Sequence, residues 1–251
     1  MNKYLKNLNR IEFVITEACT GKCKHCSEGE HRLNGEHIDG DIADREIYEL
    51  CNNYKIESLM TFGGEPLLYP ETVYKIHKAA KDMNIQQRSV ITNGFFSKDN
   101  EYIKEVVHML DESGVCGILL SVDAFHQETI PLEPVKYFAE YVKSTGITIK
   151  VHPAWLVSGE DNNPYNVRTR EILKEFTQMG IKISSGNVIF PSGNAKKYLD
   201  KYFDEDQEYN NPYEEDPNDV KTICFSPNGD VLNGNVNKDN IMNILEAYSP
   251  D

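Results

Sequence analysis

Short apolar runs rich in β-branched residues recur at residues 11–16, 56–62, 89–92, 118–122, 147–152 and 181–190. Their length and composition predict buried strands. Between them the apolar positions switch to a helical period. Ile47, Leu50, Cys51 and Tyr54 fall at i, i+3, i+4 and i+7, as do Ile103, Val106, Val107 and Leu110, and Val135, Phe138, Ala139 and Val142. Looser stripes join Val73, Ile76, Ala80 and Met83, and Ile172, Leu173, Phe176 and Met179. A helix with one apolar face between two buried strands is the crossover unit of a parallel sheet. Six such units predict an α/β fold, either an open doubly wound sheet or a partial barrel. In both, ligands gather at the carboxyl ends of the strands.

The alternation stops after residue 190. Between residues 200 and 219 nine acidic residues stand against one lysine, with Tyr202, Tyr209 and Tyr213 among them. The plain reading is a solvated loop; the sharper one is a lid that attracts a basic substrate. Residues 222–226, the turn Pro227-Asn228-Gly229-Asp230 and Val231-Leu232 predict a β-hairpin. A last helix is expected over about residues 239–248. The expected organisation is a core over residues 8–195, followed by an acidic loop and short extension over residues 196–251.

A chain of 251 residues, 39% hydrophobic and 26% charged, closes a substantial globular core. Its net charge of −14 argues against a nucleic-acid partner. No run approaches eighteen apolar residues, so no membrane span is expected. The first residues carry lysines without an apolar stretch, so a cleaved secretion leader is not expected either. Of six cysteines, three crowd at Cys19, Cys23 and Cys26, while Cys51, Cys116 and Cys224 are scattered. Without a leader, that trio suggests metal ligation rather than a disulfide framework, and a cytoplasmic location.

Cys19-Thr20-Gly21-Lys22-Cys23-Lys24-His25-Cys26 follows the first strand directly. Three thiolates there hold either zinc, with His25, His31 or His37 as a fourth ligand, or an iron–sulfur cluster with one iron open. The second strand ends in Gly63-Gly64-Glu65-Pro66. Paired glycines let a ligand approach the backbone, and Glu65 offers a carboxylate suited to an ammonium. Read alone, this motif is also an ordinary tight turn. Cys51 and Cys116 read as core residues. Asp123 has a plain alternative as a helix cap, and His126 and His152 as structural histidines.

Taken together, the two motifs resemble those of radical S-adenosylmethionine enzymes, over roughly residues 11–190. The resemblance implies a partial (β/α)6 barrel and a [4Fe–4S] cluster on Cys19, Cys23 and Cys26. It also implies S-adenosylmethionine on the open iron, hydrogen-atom abstraction from substrate, and an external flavodoxin- or ferredoxin-like electron donor. It implies cofactor contacts at His25, Gly63, Gly64, Glu65, Pro66, Thr92, Asn93, Ser121, Asp123, His152 and around Val188. Residues 223–231 resemble the hairpin that opens SPASM-type auxiliary-cluster domains, reduced here to Cys224 alone. That remnant favours a peptide substrate, to be epimerised or cross-linked, with Cys224 as hydrogen-atom donor; its plain alternative is packing. A small-molecule substrate is the near alternative. A glycyl-radical activase is disfavoured, because Ser121-Val122-Asp123 stands where Asp-x-Lys is expected. A non-catalytic zinc or iron–sulfur module is the rival from another class.

Overall fold

The computed structural model describes residues 2–204, 208, 209, 211 and 214–250. Its elements are β1 (Arg10–Val14), α1 (Gly40–Asn53), β2 (Ser58–Phe62), α2 (Pro70–Asp82), β3 (Gln87–Thr92), α3 (Asn100–Ser113) and β4 (Gly117–Leu120). There follow α4 (Ala124–Gln127), α5 (Leu132–Lys143), β5 (Thr148–Val151), β6 (Ala154–Trp155), α6 (Pro164–Gln178), β7 (Lys182–Ile183), β8 (Asn187–Val188) and α7 (Gly193–Tyr198). Last come β9 (Thr222–Phe225), β10 (Asp230–Val231), β11 (Gly234–Asn235) and α8 (Ile241–Ala247).

Seven strands form one sheet in the order β7-β5-β4-β3-β2-β1-β9, each neighbour parallel. This is the α/β partial barrel expected from the sequence. Successive side chains of a strand face opposite sides. Ile11, Phe13, Leu59, Val90, Leu120, Val151 and Phe225 are buried in one core with the apolar stripes of α1, α2, α3 and α5. Glu12, Met60, Ile91, Leu119, Lys150 and Cys224 alternate with them and stay half-buried or exposed, so they line the inner face. Among the described residues, no helix is long and apolar enough to cross a membrane.

Two strand expectations are corrected. The run at residues 181–190 is two short strands: β7 pairs with β5, and β8 pairs with β6 in a small separate sheet. Gly186, with φ of +73°, turns the chain between them; a Cβ there would lie 2.1 Å from the Pro153 carbonyl. The segment over residues 222–226 does not form a hairpin with residues 231–232. It joins the main sheet beside β1, because Ile223 is buried and Phe225 stacks on Phe13 at 4.7 Å and 14°. The hairpin forms further on, between β10 and β11. Residue 195 falls within α7, and β9 belongs to the main sheet.

Cys116, expected in the core, is exposed at the amino end of β4, whereas Cys51 is half-buried against the core. The expected last helix is α8, capped by Asn240. Glu205, Asp206 and Tyr213 of the acidic segment lie outside the described residues.

Candidate active site

The loop after β1 brings Cys19, Cys23 and Cys26 to the carboxyl end of the sheet. Cys23 is buried, and Cys19 and Cys26 are half-buried. Gly21 N and Asn93 Nδ2 donate to Cys19 Sγ at 3.3 and 3.6 Å. Cys26 Sγ lies 3.1 Å from Nε2 of His31, whose Nδ1 donates to the Glu17 carbonyl at 2.6 Å. Burial, then the charge of Glu65, pushes the Cys19 thiol up to about 12; burial and Asp123 push Cys23 higher still. Thiols in such a setting ionise only around a cation.

A single ion requires donors about 4 Å apart, each some 2.3 Å from the metal. A cluster, with one iron per cysteine, holds them wider apart. Among the described residues, the one group of three or more donors within 4.8 Å of one another is Cys23, His25 and His126. Cys19, Cys23 and Cys26 together are not such a group. Their spread, and the N–H donors aimed at sulfur, fit an iron–sulfur cluster better than one zinc ion.

The glycine turn after β2 packs on this loop. Gly64 N donates to Thr16 O and Glu65 N to Ala18 O, both at 2.8 Å. A Cβ on Gly63 would lie 2.5 Å from Thr16 O, and one on Gly64 2.2 Å from Ala18 O. The close approach these glycines permit is therefore to the cysteine loop itself. Glu65 also differs from expectation, because its carboxylate points into the protein and is 0% exposed. Oε1 accepts from Leu67 N (3.0 Å) and Thr92 Oγ1 (2.7 Å), and Oε2 from Asn93 N (2.8 Å). It caps the single turn Pro66–Leu68 and joins the ends of β2 and β3. Burial pushes it up to about 7 against those hydrogen bonds.

Asp123, after β4, is likewise 0% exposed. Oδ1 accepts from Phe125 N (2.9 Å) and His126 N (3.0 Å), and Oδ2 from His126 Nδ1 (2.9 Å) and Ala154 N (3.0 Å). It thus caps the turn that follows β4 and accepts four hydrogen bonds inside the fold. Burial alone would raise it, but the neighbouring His126 ring holds it well below the usual carboxylate range. His25 packs 5.0 Å from Phe125 and 4.7 Å from His126 between ring centroids, and burial lowers it to about 4.

Asn93 meets the cysteine loop directly, its Nδ2 also reaching Thr20 Oγ1 at 3.3 Å, while Thr92 Oγ1 donates to Glu65. Ser121 is half-buried at the same end, its N–H on Thr92 O. His152 follows β5 with Nδ1 on Ser184 Oγ at 2.8 Å, and Val188 is exposed on β8.

One residue escaped the sequence reading. Asn194, 5% exposed, donates through Nδ2 to the carbonyls of Cys23 (3.1 Å) and Gly29 (3.0 Å), and its N–H to Cys26 O (2.9 Å). Its partners lie 171 and 165 residues away, so no local pattern reveals it. His126, weighed in the sequence as a structural histidine, has its partner in Asp123 three residues before it, a spacing that brings side chains together on a helix.

Cys224 faces the inner side of the sheet, in register with Glu12. It is open to solvent yet walled by protein. Burial first, then the carboxylates of Glu12 and Glu28, push its thiol up to about 12. The thiol therefore keeps its hydrogen at neutral pH. Cys224 is exposed on β9 of the main sheet, not packed beneath the β10–β11 hairpin.

A model of the radical SAM superfamily matches residues 13–161, more than half of the chain. An S-adenosylmethionine-dependent nucleotide dehydratase of a Fibrobacter species (strain UWH6) is 32% identical over 126 residues, 47% of this chain and 35% of that protein. YydG of Bacillus subtilis, named for peptide biosynthesis, is 20% identical over 131 residues, 52% of this chain and 41% of that protein. The chain thus spans less than half the length of these relatives. SuiB of Streptococcus suis, solved with S-adenosylmethionine, superposes with a TM-score of 0.58 at 13% identity, covering 95% of this chain and 65% of SuiB.

Proposed function

Since the chain belongs to the radical SAM superfamily, we propose that it modifies a peptide, with Cys224 returning a hydrogen atom to the substrate. It is an enzyme whose cofactors are a [4Fe–4S] cluster and S-adenosylmethionine. When bound and reduced by an external flavodoxin- or ferredoxin-like donor, they supply a 5′-deoxyadenosyl radical that removes a hydrogen atom from the substrate. Cys19, Cys23 and Cys26 hold the cluster. His25, the turn from Gly63 to Pro66, Thr92, Asn93, Ser121, His152 and the backbone at Val188 surround the second cofactor. Glu65 and Asp123 brace that wall from behind.

The observation that carries the reading is the placement of Cys224 on the inner wall, opposite Glu12, with its proton retained. The S–H bond breaks as a C–H bond forms at the substrate carbon, and a thiyl radical remains. One electron from the donor and one proton from water restore the thiol. Delivery to the face opposite the abstraction inverts the carbon, so epimerisation is the expected outcome. A peptide is favoured because SuiB, of like fold, was solved with its precursor peptide SuiA, and by the similarity to YydG. A nucleotide substrate is the second reading, favoured by the 32% identity to the dehydratase.

The test is anaerobic turnover with a panel of synthetic peptides, against a panel of nucleoside triphosphates. In deuterated water the wild type should place one deuterium at the reacting carbon of the peptide. Cys224→Ala should still form 5′-deoxyadenosine but no epimer. Normal epimer from the mutant overturns the donor role, and deuterium in a nucleotide product replaces the peptide reading.

A further inference from the structure

Lys150 on β5 and Lys182 on β7 are register partners in neighbouring parallel strands. Lys150 stands between Ile149 and Val151, and Lys182 between Ile181 and Ile183, all four of which pack in the core. Alternation therefore turns both lysines to the inner face of the sheet, where both are exposed. Among the described residues neither ammonium has a hydrogen-bond acceptor or an ion-pair partner. Like charges side by side on one face of a sheet repel. The chain holds 40 acidic residues against 26 basic ones, yet places none beside this pair. Lysines do protect exposed sheet edges, which accounts for Lys182 on the edge strand β7. Edge protection does not account for Lys150, because β5 is paired on both sides, with β4 and β7.

The rows around the pair suggest what it serves. Ile91, Leu119, Lys150 and Lys182 stand in register across four strands, and the first two are half-buried, so an apolar floor ends in two ammoniums. The next inward row toward the carboxyl ends carries His152 and Ser184, joined at 2.8 Å. The next toward the amino ends runs in register from Thr148 across the sheet to Glu12 and Cys224. The lysines thus lie between the cofactor end of the lumen and the row of Cys224. Glu12 is held by Arg10 at 2.6 Å and stands four strands from Lys150.

We propose that Lys150 and Lys182 bind an anionic group of the substrate, a carboxylate or a phosphate, and lay the adjoining part of the substrate over Leu119 and Ile91. An oxyanion between the two ammoniums accepts N–H donors from both and relieves their repulsion. Binding is non-covalent. The subsite names the group the substrate carries; it rests on the proposed function only in taking the lumen as the place where substrate binds.

The experiment uses the cluster-loaded full chain with S-adenosylmethionine, anaerobically and at low salt, where such contacts are least screened. Two probe sets separate the sources of the anion. One pairs synthetic peptides that carry Glu and a free carboxyl terminus with the same peptides carrying Gln and an amide; the other pairs nucleoside triphosphates with their nucleosides. Binding is read by isothermal titration calorimetry. In one set the wild type should prefer the charged member, and Lys150→Gln and Lys182→Gln should each cut that preference about tenfold, the worth of one charge-assisted hydrogen bond. Lys150→Arg should keep the preference, and Lys174→Gln, on the exposed side of α6, should leave it unchanged. Without any probe, both Gln variants should unfold in urea no earlier than the wild type, because a like-charge contact is removed. Absence of a preference for charged probes in the wild type, or a preference that survives both Gln substitutions, overturns the subsite. A lower urea midpoint in both variants also overturns it, since the lysines would then be structural. A preference carried by the triphosphates and not by the peptides keeps the subsite and replaces the peptide reading.

Discussion

At the end of β2 and at the end of β4 a fully buried carboxylate performs the same task in opposite electrostatic settings. Glu65 and Asp123 each cap the short helical turn that follows, and each reaches a neighbouring segment through a backbone N–H, of Asn93 and of Ala154. Both bear the cost of burial. Glu65 meets three hydrogen-bond donors, none of them charged, and rises to about 7; Asp123 meets the His126 ring and falls. The difference teaches that the His126 ring offsets the desolvation of a carboxylate when it is in hydrogen-bond contact, as with Asp123, and not when it acts only at a distance, as on Glu65.

What the two ends jointly support can be removed outright. Replacing Cys19, Cys23 and Cys26 together with Ala should reduce cluster iron to zero after reconstitution, while far-ultraviolet circular dichroism stays unchanged. Full iron loading would show that the braced wall serves something else.

Next in size is the charged end. Asp123→Asn should cost about 3 kcal/mol in urea unfolding of the metal-free protein, because it breaks a buried paired carboxylate. A loss no greater than that of Glu65→Gln would erase the contrast between the two ends.

Gly64→Ala tests the packing that only the β2 end has. A methyl 2.2 Å from the Ala18 carbonyl must displace backbone, so a loss of about 2 kcal/mol is expected, with weaker retention of iron against a chelator. Unchanged stability would mean that the cysteine loop gives way freely.

The smallest effect should be that of Glu65→Gln, about 1 kcal/mol, and its pH dependence is the informative part. A carboxyl raised to about 7 on folding contributes stability that is full below its ordinary value of 4.5 and lost as pH rises through 7. The deficit of Glu65→Gln should therefore shrink between pH 4.5 and 7.5. Asp123, lowered on folding, contributes above its ordinary 3.8 and loses that only as pH falls through its depressed value. The deficit of Asp123→Asn should hold across the same window. Parallel profiles would refute the opposite shifts.

By itself the sequence determined the parallel α/β architecture, because burial on both sides of a strand and on one side of a helix leaves a periodic apolar signature. It also placed Cys19, Cys23 and Cys26, and the turn from Gly63 to Pro66, at strand ends, because both motifs are local in the chain. Tertiary structure alone decided where their side chains point. Glu65 and Asp123 read as ligand-facing groups, yet their partners at Thr92, Asn93 and Ala154 come from other strand ends, and satisfying buried backbone donors claimed both carboxylates. The same holds for β9, whose hairpin-like sequence lost to the apolar contact of Phe225 on Phe13, and for Asn194, which binds carbonyls 165 residues and more away. Local periodicity records which residues are buried; which distant atom they are buried against is settled only when the sheet closes.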